Sequence, residues 1–292
     1  MKKILVIGSA NVDFSVQTSY FPEAGETMLG EALMIQMGGK GNNQAVAASR
    51  LGGEVSMIAA IGQDLWGEQL LANWQEEKDN TTGVIARPEA TGTAHITVAG
   101  GDNAIIVIPG ANHHLQMHQI NEQMALIDEA DIVVLQLEIP LETVMSLIEL
   151  LDEKGKIIIL DPAPAQALPL ALIEKCTYLT PNEGELEKLF KGPAEEVLAK
   201  YPQQVLLTKG KDGAYYHDGD KVVHIPSPAV TVVDTTGAGD TFAGALAVAL
   251  AEEQPLKAAV QFAVRSASLA CRKLGAQAGM PKRDDLEEWC EQ

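Results

Sequence analysis

Short apolar runs alternate with helical patterns along most of this chain, and this alternation limits the possible folds more than any other feature. The runs lie at residues 3–8, 55–61, 131–137, 156–160, 177–180 and 204–208. The helical patterns lie at residues 42–51, 67–77, 118–129, 141–154, 183–190, 239–252 and 256–274. Strands that alternate with helices predict a parallel sheet covered by helices on both faces. Ligands of such sheets bind beyond the carboxyl ends of the strands.

Two segments interrupt the alternation. Residues 14–37 contain strands and turns but no convincing helix. Residues 91–110 contain two apolar runs on either side of a Gly-Gly-Asp-Asn turn at 100–103, which predicts a hairpin. We expect these two segments to form a small β lid inserted into an α/β body. The body would comprise residues 1–13, 38–90 and 111–292.

Charge and cysteine content exclude several classes of protein. The chain has 292 residues and a formal net charge of −19, and it shows no basic footprint for nucleic acid. No apolar run reaches the ~18 residues of a membrane span. Asn11 and Asp13 interrupt the N-terminal apolar stretch too early for a secretory signal. The cysteines are odd in number and far apart, which suits reduced thiols and predicts a cytoplasmic protein. They are Cys176, Cys271 and Cys290.

The run at residues 232–242 is the first of two motifs that indicate chemistry. An apolar strand ends in Asp234, a turn with glycines follows, and Asp240 opens an alanine-rich helix. Backbone N–H groups at a helix start attract anions, and glycine lets a phosphate approach closely. A carboxylate beside such a pocket is suited to take a proton from a hydroxyl that attacks phosphorus, which predicts phosphoryl transfer with Asp240 as base. The alternative is that Asp240 only charges the first helical turn, where an acid contributes ~0.3–1 kcal/mol.

The second motif lies at residues 37–45, where three glycines in four positions precede two asparagines that open a helix. The spacing matches neither the P-loop nor the dinucleotide fingerprint. Asn11 and Asn43 each offer a donor and an acceptor, whereas Asp13 only accepts. Because an unpaired buried donor costs ~1–3 kcal/mol, such a dense polar set predicts a polyol site. The alternative is a capped helix after a glycine turn.

With both motifs taken together, the chain resembles the ribokinase-like carbohydrate kinase family nearly from end to end. The two family signatures match residues 38–45 and 234–240, about 200 residues apart. Further matches lie at residues 11–13, 109–112, 136–138, 161–165, 181–185, 208–210 and 275–277. The resemblance implies a three-layer α/β/α fold with a mostly parallel central sheet and a small inserted β-sheet lid. It also implies ATP-dependent phosphorylation of D-ribose at O5.

The resemblance assigns roles to residues of both signatures. Asp240 would be the general base, and an anion hole would form from backbone amides of Gly237, Ala238 and Gly239. The sugar would contact Asn11, Asp13, Gly39, Lys40, Asn43 and Glu138, with Asp240 at the acceptor hydroxyl. The nucleotide would contact Asn182, Thr208, Gly210 and Gly239. The alternative for Thr208 is a residue that only ends a strand.

Two cations are implied by the same resemblance. Glu185, in an Asn-x-x-Glu element, would act indirectly on Mg²⁺; alternatively it is a solvated acid in the first turn of a helix. A monovalent cation, usually K⁺, would lie beside the anion hole. Its ligands would be the carboxylate of Asp234 and backbone carbonyls near Thr236, Ala270, Lys273 and Gly275. The chain departs from the family pattern at Gly279, where serine is usual, and at Val264, where Asn or His commonly approaches the adenine.

The lid would cover the sugar, exclude water and supply a dimer surface. Ala94 and Ile96 would form an apolar wall against the sugar. We therefore expect a homodimer that binds ribose and ATP and binds neither nucleic acid nor membranes.

Two alternatives for the function stay open. One is a kinase of the same family for deoxyribose, fructose or a nucleoside, and the other is a non-catalytic sensor of sugar or nucleotide.

Overall fold

The computed structural model describes residues 1–100 and 102–290, which form three sheets and the helices around them. The strands are β1 (Ile4–Ile7), β2 (Asn11–Gln17), β3 (Ala32–Gly38), β4 (Val55–Gly62), β5 (Asn80–Arg87), β6 (Gly92–Ala99), β7 (Asp102–Ile108), β8 (Ile132–Leu135), β9 (Ile157–Leu160), β10 (Tyr178–Leu179), β11 (Leu207–Thr208), β12 (Ala214–His217) and β13 (Val222–Ile225). The helices are α1 (Lys40–Arg50), α2 (Leu65–Glu77), α3 (Met117–Asn121), α4 (Met124–Glu129), α5 (Leu141–Glu153), α6 (Leu170–Ile173), α7 (Glu183–Leu189), α8 (Ala194–Lys200), α9 (Ala238–Ala251), α10 (Leu256–Ala270), α11 (Ala276–Gly279) and α12 (Arg283–Cys290). Gly101 of the expected turn and the side chain of Cys290 lie outside this description.

The central sheet has six parallel strands in the order β10-β9-β8-β1-β4-β5. Every residue of β1 and β8 is buried, as expected of strands that are covered on both faces. Ile4 and Val6 point into one apolar cluster, whereas Leu5 and Ile7 point into the other. Alternation along one strand therefore supplies both cores, which confirms the predicted parallel sheet with helices on its two faces.

The first apolar cluster brings three helices together on one face of the sheet. The helices α1, α9 and α10 contribute about half of its buried residues. Alanines and glycines let α1 and α9 approach closely, and a Cβ added at Gly244 would lie 2.7 Å from the carbonyl oxygen of Gln44. This close packing places the start of α1 beside the start of α9.

A separate sheet of four strands has the order β3-β2-β6-β7. The strands β2 and β6 pair in parallel, whereas β3 and β7 pair antiparallel to their neighbours. The segments expected to form a lid supply most of this sheet, which begins at Asn11. Asn11 pairs with Gly38, and Asp13 pairs with Ala94. Both polar residues are therefore part of a strand that leads out of the α/β body.

Other predictions about elements need correction. The helix expected at 118–129 is divided into α3 and α4, because the backbone of Gln123, with φ −106° and ψ 19°, leaves the helical conformation between them. The helix expected at 256–274 ends at Ala270, where the chain turns and brings the backbone N–H of Gly275 to Asp234 at 2.8 Å. The strand β5 was not predicted from the sequence, since no predicted apolar run covers Asn80–Arg87. Within the described residues, no helix has the length and apolar character needed to cross a bilayer.

Candidate active site

Asp240 lies in the first turn of α9 and is 5% exposed. The preceding Gly237 has φ 77°, which favours glycine, and a Cβ there would lie 2.9 Å from that of Ala276. The first amides of an α-helix have no intrahelical acceptor. Here the Ala238 N–H donates to the carbonyl of Thr235 at 3.2 Å. The helix start therefore presents amide donors beside the carboxylate, with that of Ala238 engaged in the local turn.

Donors from the start of α1 surround the Asp240 carboxylate. Asn43 Nδ2 donates to Oδ2 at 2.9 Å, and Gln44 Nε2 donates to Oδ1 at 3.2 Å. Lys40 Nζ lies 4.0 Å from Oδ1. Burial alone would lower the pKa of Lys40, but the charges of Asp240 and Asp161 raise it, so its ammonium stays charged. The acid is thus held by two amides and one cation.

A buried network behind Asp240 contains residues to which sequence reasoning gave no role. Gln44 Nε2 also donates to Asp161 Oδ2 at 2.8 Å, and Gln136 Nε2 donates to Gln44 Oε1 at 2.6 Å. Burial and the negative charge of Asp240 raise the pKa of Asp161 to about 7, although the positive charge of Lys40 acts in the opposite direction. Asp161 and Gln136 follow β9 and β8 directly. The sequence signals for them are this position at the carboxyl ends of neighbouring parallel strands and the family matches at residues 136–138 and 161–165, neither of which gives them a role.

The carboxylate of Glu138 joins the same cluster from the end of β8. Its Oε2 accepts from Ser9 Oγ at 2.6 Å and from the backbone N–H of Lys40 at 3.0 Å. Gly39, with φ 88°, precedes that amide, and a Cβ there would lie 2.7 Å from the backbone nitrogen of Asn11. The glycine therefore brings the start of α1 against the start of β2.

Asn11 and Asp13 face this cluster from β2. Asn11 is buried, and its Oδ1 accepts from Asn112 Nδ2 at 2.8 Å. Burial, with the charges of Glu138 and Asp240, raises the pKa of Asp13 to about 7. The structure therefore brings together the residues predicted to bind sugar, which are Asn11, Asp13, Gly39, Lys40, Asn43, Glu138 and Asp240. Ala94 is buried next to Asp13 in the sheet, and Ile96 lies two residues further along β6 and is half-buried.

On its other side, the start of α9 borders a cavity of about 430 Å³. Thr208, Gly210, Ala238, Gly239 and Val264 are among its lining residues. Its remaining wall is largely apolar and includes Pro228, Ala229, Val230, Val232, Phe242 and Ala267. Two hydroxyls in the wall, those of Ser227 and Ser268, lie 2.8 Å apart and bond to each other.

Asn182 and Glu185 form a capping box at the start of α7, outside the cavity wall. The backbone N–H of Asn182 donates to Glu185 Oε2 at 2.8 Å, and that of Glu185 donates to Asn182 Oδ1 at 2.9 Å. A β-bridge joins Asn182 to Thr208, so the capping box lies beside the strand that lines the cavity. The charge of Glu185 reaches the cluster, since it raises the pKa values of Lys40 and Asp161.

The residues expected to bind a monovalent cation lie on neighbouring loops. Burial would raise the pKa of Asp234, but hydrogen bonds from Thr236 and Gly275 lower it, so the carboxylate is ionised. The backbone of Val233 and Asp234 donates to the Cys271 carbonyl, which places Ala270 and Lys273 close by in the chain. An ionised carboxylate beside carbonyl oxygens is the donor chemistry that hard cations prefer, so these residues fit such an ion.

Gly279 restricts this loop. A Cβ added there would overlap the carbonyl oxygen of Ala270. The glycine therefore allows α11 to close against the end of α10, and a serine would not fit this arrangement of the backbone.

Comparison with known proteins gives a consistent result over the full chain. Residues 1–283 match the family described as pfkB family carbohydrate kinase. The chain is 45% identical over 291 residues to the ribokinase of Bacillus subtilis, with 99% of each chain covered. It superimposes on the ribokinase of Thermotoga maritima with a TM-score of 0.92, at 34% identity and 100% coverage of both chains. The ribokinase of Arabidopsis thaliana, solved with ribose and ATP, gives a TM-score of 0.89 at 31% identity and 98% coverage of both chains.

Proposed function

Because the chain belongs to the pfkB family of carbohydrate kinases, we propose that it transfers the γ-phosphoryl group of ATP to O5 of D-ribose. The observation that carries this proposal is the position of Asp240, a buried carboxylate at a helix start between a polar cluster and a cavity. The ribokinase from B. subtilis and the ribose and ATP in the A. thaliana structure support this choice of substrates.

Asp240 would act as the general base. Its carboxylate accepts the O5 proton while O5 forms a bond to the γ-phosphorus, and the bond from that phosphorus to the leaving ADP oxygen breaks. Backbone amides of Gly237, Ala238 and Gly239 would stabilise charge on the transferring group, as donors at a helix start do. For Ala238 this requires that its N–H leave the Thr235 carbonyl.

The polar cluster would bind the sugar. Ribose offers several hydroxyls, each of which needs both donors and acceptors when buried. The donors here are Asn11, Lys40, Asn43 and the backbone of Gly39, and the carboxylate acceptors are Asp13 and Glu138. A site with this many polar groups would leave them unpaired with an apolar ligand, which favours a polyol.

The cavity on the other side of α9 would bind the nucleotide. Thr208, Gly210 and Gly239 line it, and its apolar wall suits the face of a purine. Asn182 would contribute from its place beside Thr208. The residues that would contact sugar and nucleotide thus converge on opposite sides of Asp240, as an in-line transfer requires.

Two cations are part of the proposal. Glu185 would act indirectly on Mg²⁺, since its negative charge acts on Lys40 and Asp161. K⁺ would be held by Asp234 and by carbonyls near Thr236, Ala270, Lys273 and Gly275, beside the start of α9. When bound, these ions supply positive charge that offsets the charge of the phosphates.

We also propose that the four-stranded sheet covers the sugar and forms the interface of a homodimer. Ile105, Ile106, Val107 and Ile108, four consecutive apolar residues of its outer strand β7, are all exposed. An exposed apolar edge strand is a template for pairing with a second chain.

Cys176 and Cys271 are free thiols, which supports a reducing compartment such as the cytoplasm.

A sugar panel tests the proposed substrate. The purified protein is given ATP with ribose, deoxyribose, fructose or a nucleoside, and ADP release is followed in a coupled assay. Phosphorus NMR of the ribose reaction is expected to show ribose 5-phosphate, with the highest kcat/KM for ribose. A higher kcat/KM for another acceptor would overturn the substrate. Tight binding of ribose and ATP without product would favour a sensor.

A further inference from the structure

We propose that Gln44 is a positioning residue, whose buried amide holds the Asp240 carboxylate in the orientation needed for proton abstraction and keeps it apart from Asp161. This inference rests on the proposed role of Asp240 as base. Gln44 is fully buried in α1, and its side chain contacts the two carboxylates and Gln136.

The hydrogen bonds of Gln44 engage both the nitrogen and the oxygen of its side-chain amide. Nε2 has two hydrogens, of which one goes to Asp240 Oδ1 at 3.2 Å and the other to Asp161 Oδ2 at 2.8 Å. Oε1 accepts from Gln136 Nε2 at 2.6 Å. Because Gln136 donates to the acceptor end of Gln44, the donor end must face the carboxylates. The amide therefore cannot rotate without breaking three buried hydrogen bonds.

Asn43 and Gln44 each donate a hydrogen bond to a different oxygen of the Asp240 carboxylate. Asn43 donates to Oδ2 and Gln44 to Oδ1, so the plane of the carboxylate is fixed from one helix. Asn43 would also contact the sugar, and its amide is then shared with a substrate hydroxyl. Gln44 lies deeper and has no such second task, so it would hold the base whether or not sugar is bound.

The second carboxylate explains why an amide is needed at this point. Burial raises the pKa of Asp161 to about 7, so near neutral pH it competes for a proton close to the base. The charged groups that interact with Asp240 from the surrounding elements are Lys40, Asp13 and Asp161. Glu138 and Glu185 add negative charge next to them, since both act on Lys40 and Asp161. Among them Lys40 is the one cation, and it lies 4.0 Å from Asp161 and from Asp240.

Gln44→Met tests the proposal because methionine keeps the volume and removes both donors. The value of kcat is expected to fall about 10- to 100-fold, since small errors in orientation have effects of this size. Ribose affinity by calorimetry should stay within about threefold. The acid limb of the kcat profile should move by about one unit to higher pH, because a lost hydrogen bond to the ionised form favours protonation.

Two further variants keep the test decisive. Gln136→Met removes only the hydrogen bond to Gln44 Oε1. We therefore expect a smaller loss of kcat and a smaller shift of the acid limb of the kcat profile than in Gln44→Met. If Gln44→Met does not fold, Gln136→Met is used in its place. Gln119→Met is the matched control, because Gln119 is a buried glutamine that caps α3 away from the site. Its kcat and pH profile should equal those of the wild type.

Two outcomes would overturn the inference. One is a folded Gln44→Met protein with the wild-type kcat and acid limb. The other is a parallel loss of kcat and ribose affinity with the limb unmoved, which would indicate a structural role. If the wild type turns over another sugar instead of ribose, the proposed substrate is wrong, and the same variants are then compared on that sugar.

Discussion

The side chains of Asn43 and Asp240 are 197 positions apart in the chain and are joined by a hydrogen bond of 2.9 Å from Nδ2 to Oδ2. The same amide accepts at Oδ1 from Gln277 Nε2 at 3.2 Å. Asn43 therefore links the start of α1 to the start of α9 and to the loop that carries α11. The two sequence motifs meet at this contact, which explains why neither would form the site alone.

Asp13→Asn is expected to stabilise the unliganded protein and to weaken ribose binding. The pKa of Asp13 is raised by burial and nearby carboxylates from 3.8 to about 7. The free-energy cost of its ionised form is absent below pH ~4, grows as the pH rises and is complete above pH ~7. Thermal unfolding should thus show a larger gain in Tm at pH 8 than at pH 5.

The control for this prediction is Asp220→Asn, since Asp220 lies exposed in the turn between β12 and β13. Its Tm should follow the wild type at both pH values. An equal gain for Asp13→Asn at pH 5 and pH 8 would contradict the raised pKa.

Gly279→Ser is expected to destabilise the protein rather than to complete a cation site. Its Cβ would overlap the Ala270 carbonyl, and overpacking of this kind costs ~1–3 kcal/mol. The Tm should fall by several degrees, and activation by K⁺ should not increase. Gly184→Ala in α7 is the control, because its nearest atom, Asn182 Oδ1, would lie 3.5 Å away. An unchanged Tm together with stronger K⁺ activation of Gly279→Ser would refute this account.

The apolar wall around Val264 predicts weak selection of the nucleotide base. Val264 is buried in the cavity wall, and the nearby hydroxyls of Ser227 and Ser268 bond to each other. GTP should therefore support phosphorylation with kcat/KM within about tenfold of ATP, the discrimination that one neutral hydrogen bond gives. Val264→Asn should raise the preference for ATP. A preference above 1,000-fold in the wild type (about 4 kcal/mol) would contradict this interpretation.

The outer strand of the four-stranded sheet predicts a dimer. Ile106 on β7 is 69% exposed, the largest value among its apolar neighbours. Sedimentation velocity should give a dimer for the wild type and a monomer for Ile106→Glu, since a charge on the buried edge is costly. Val222→Glu, an exposed apolar position on β13, is the control and should stay dimeric. A monomeric wild type would exclude the interface.

The sequence predicts the parallel sheet and the elements that carry Asp240 and Asn43, because apolar periodicity and glycine positions report local structure directly. The strand β5 was missed because Asn80, Thr81 and Thr82 give it a polar start and Gly83 interrupts it. The bonds from Gln44 to Asp161 and Asp240 could not be predicted. They span 117 and 196 positions and depend on how α1 packs against both the sheet and α9. The overlap that excludes a side chain at Gly279 likewise depends on packing alone.

The activity of Asp240→Asn tests the role of Asp240 as the base most directly. Asparagine keeps the size of the side chain and its contact with Asn43 but cannot accept the O5 proton. We predict a folded protein with a ribose dissociation constant near that of the wild type and a kcat lower by about 100- to 10,000-fold, the range that general bases contribute. Turnover of ribose by Asp240→Asn at close to the wild-type rate would contradict the role of Asp240 as the base.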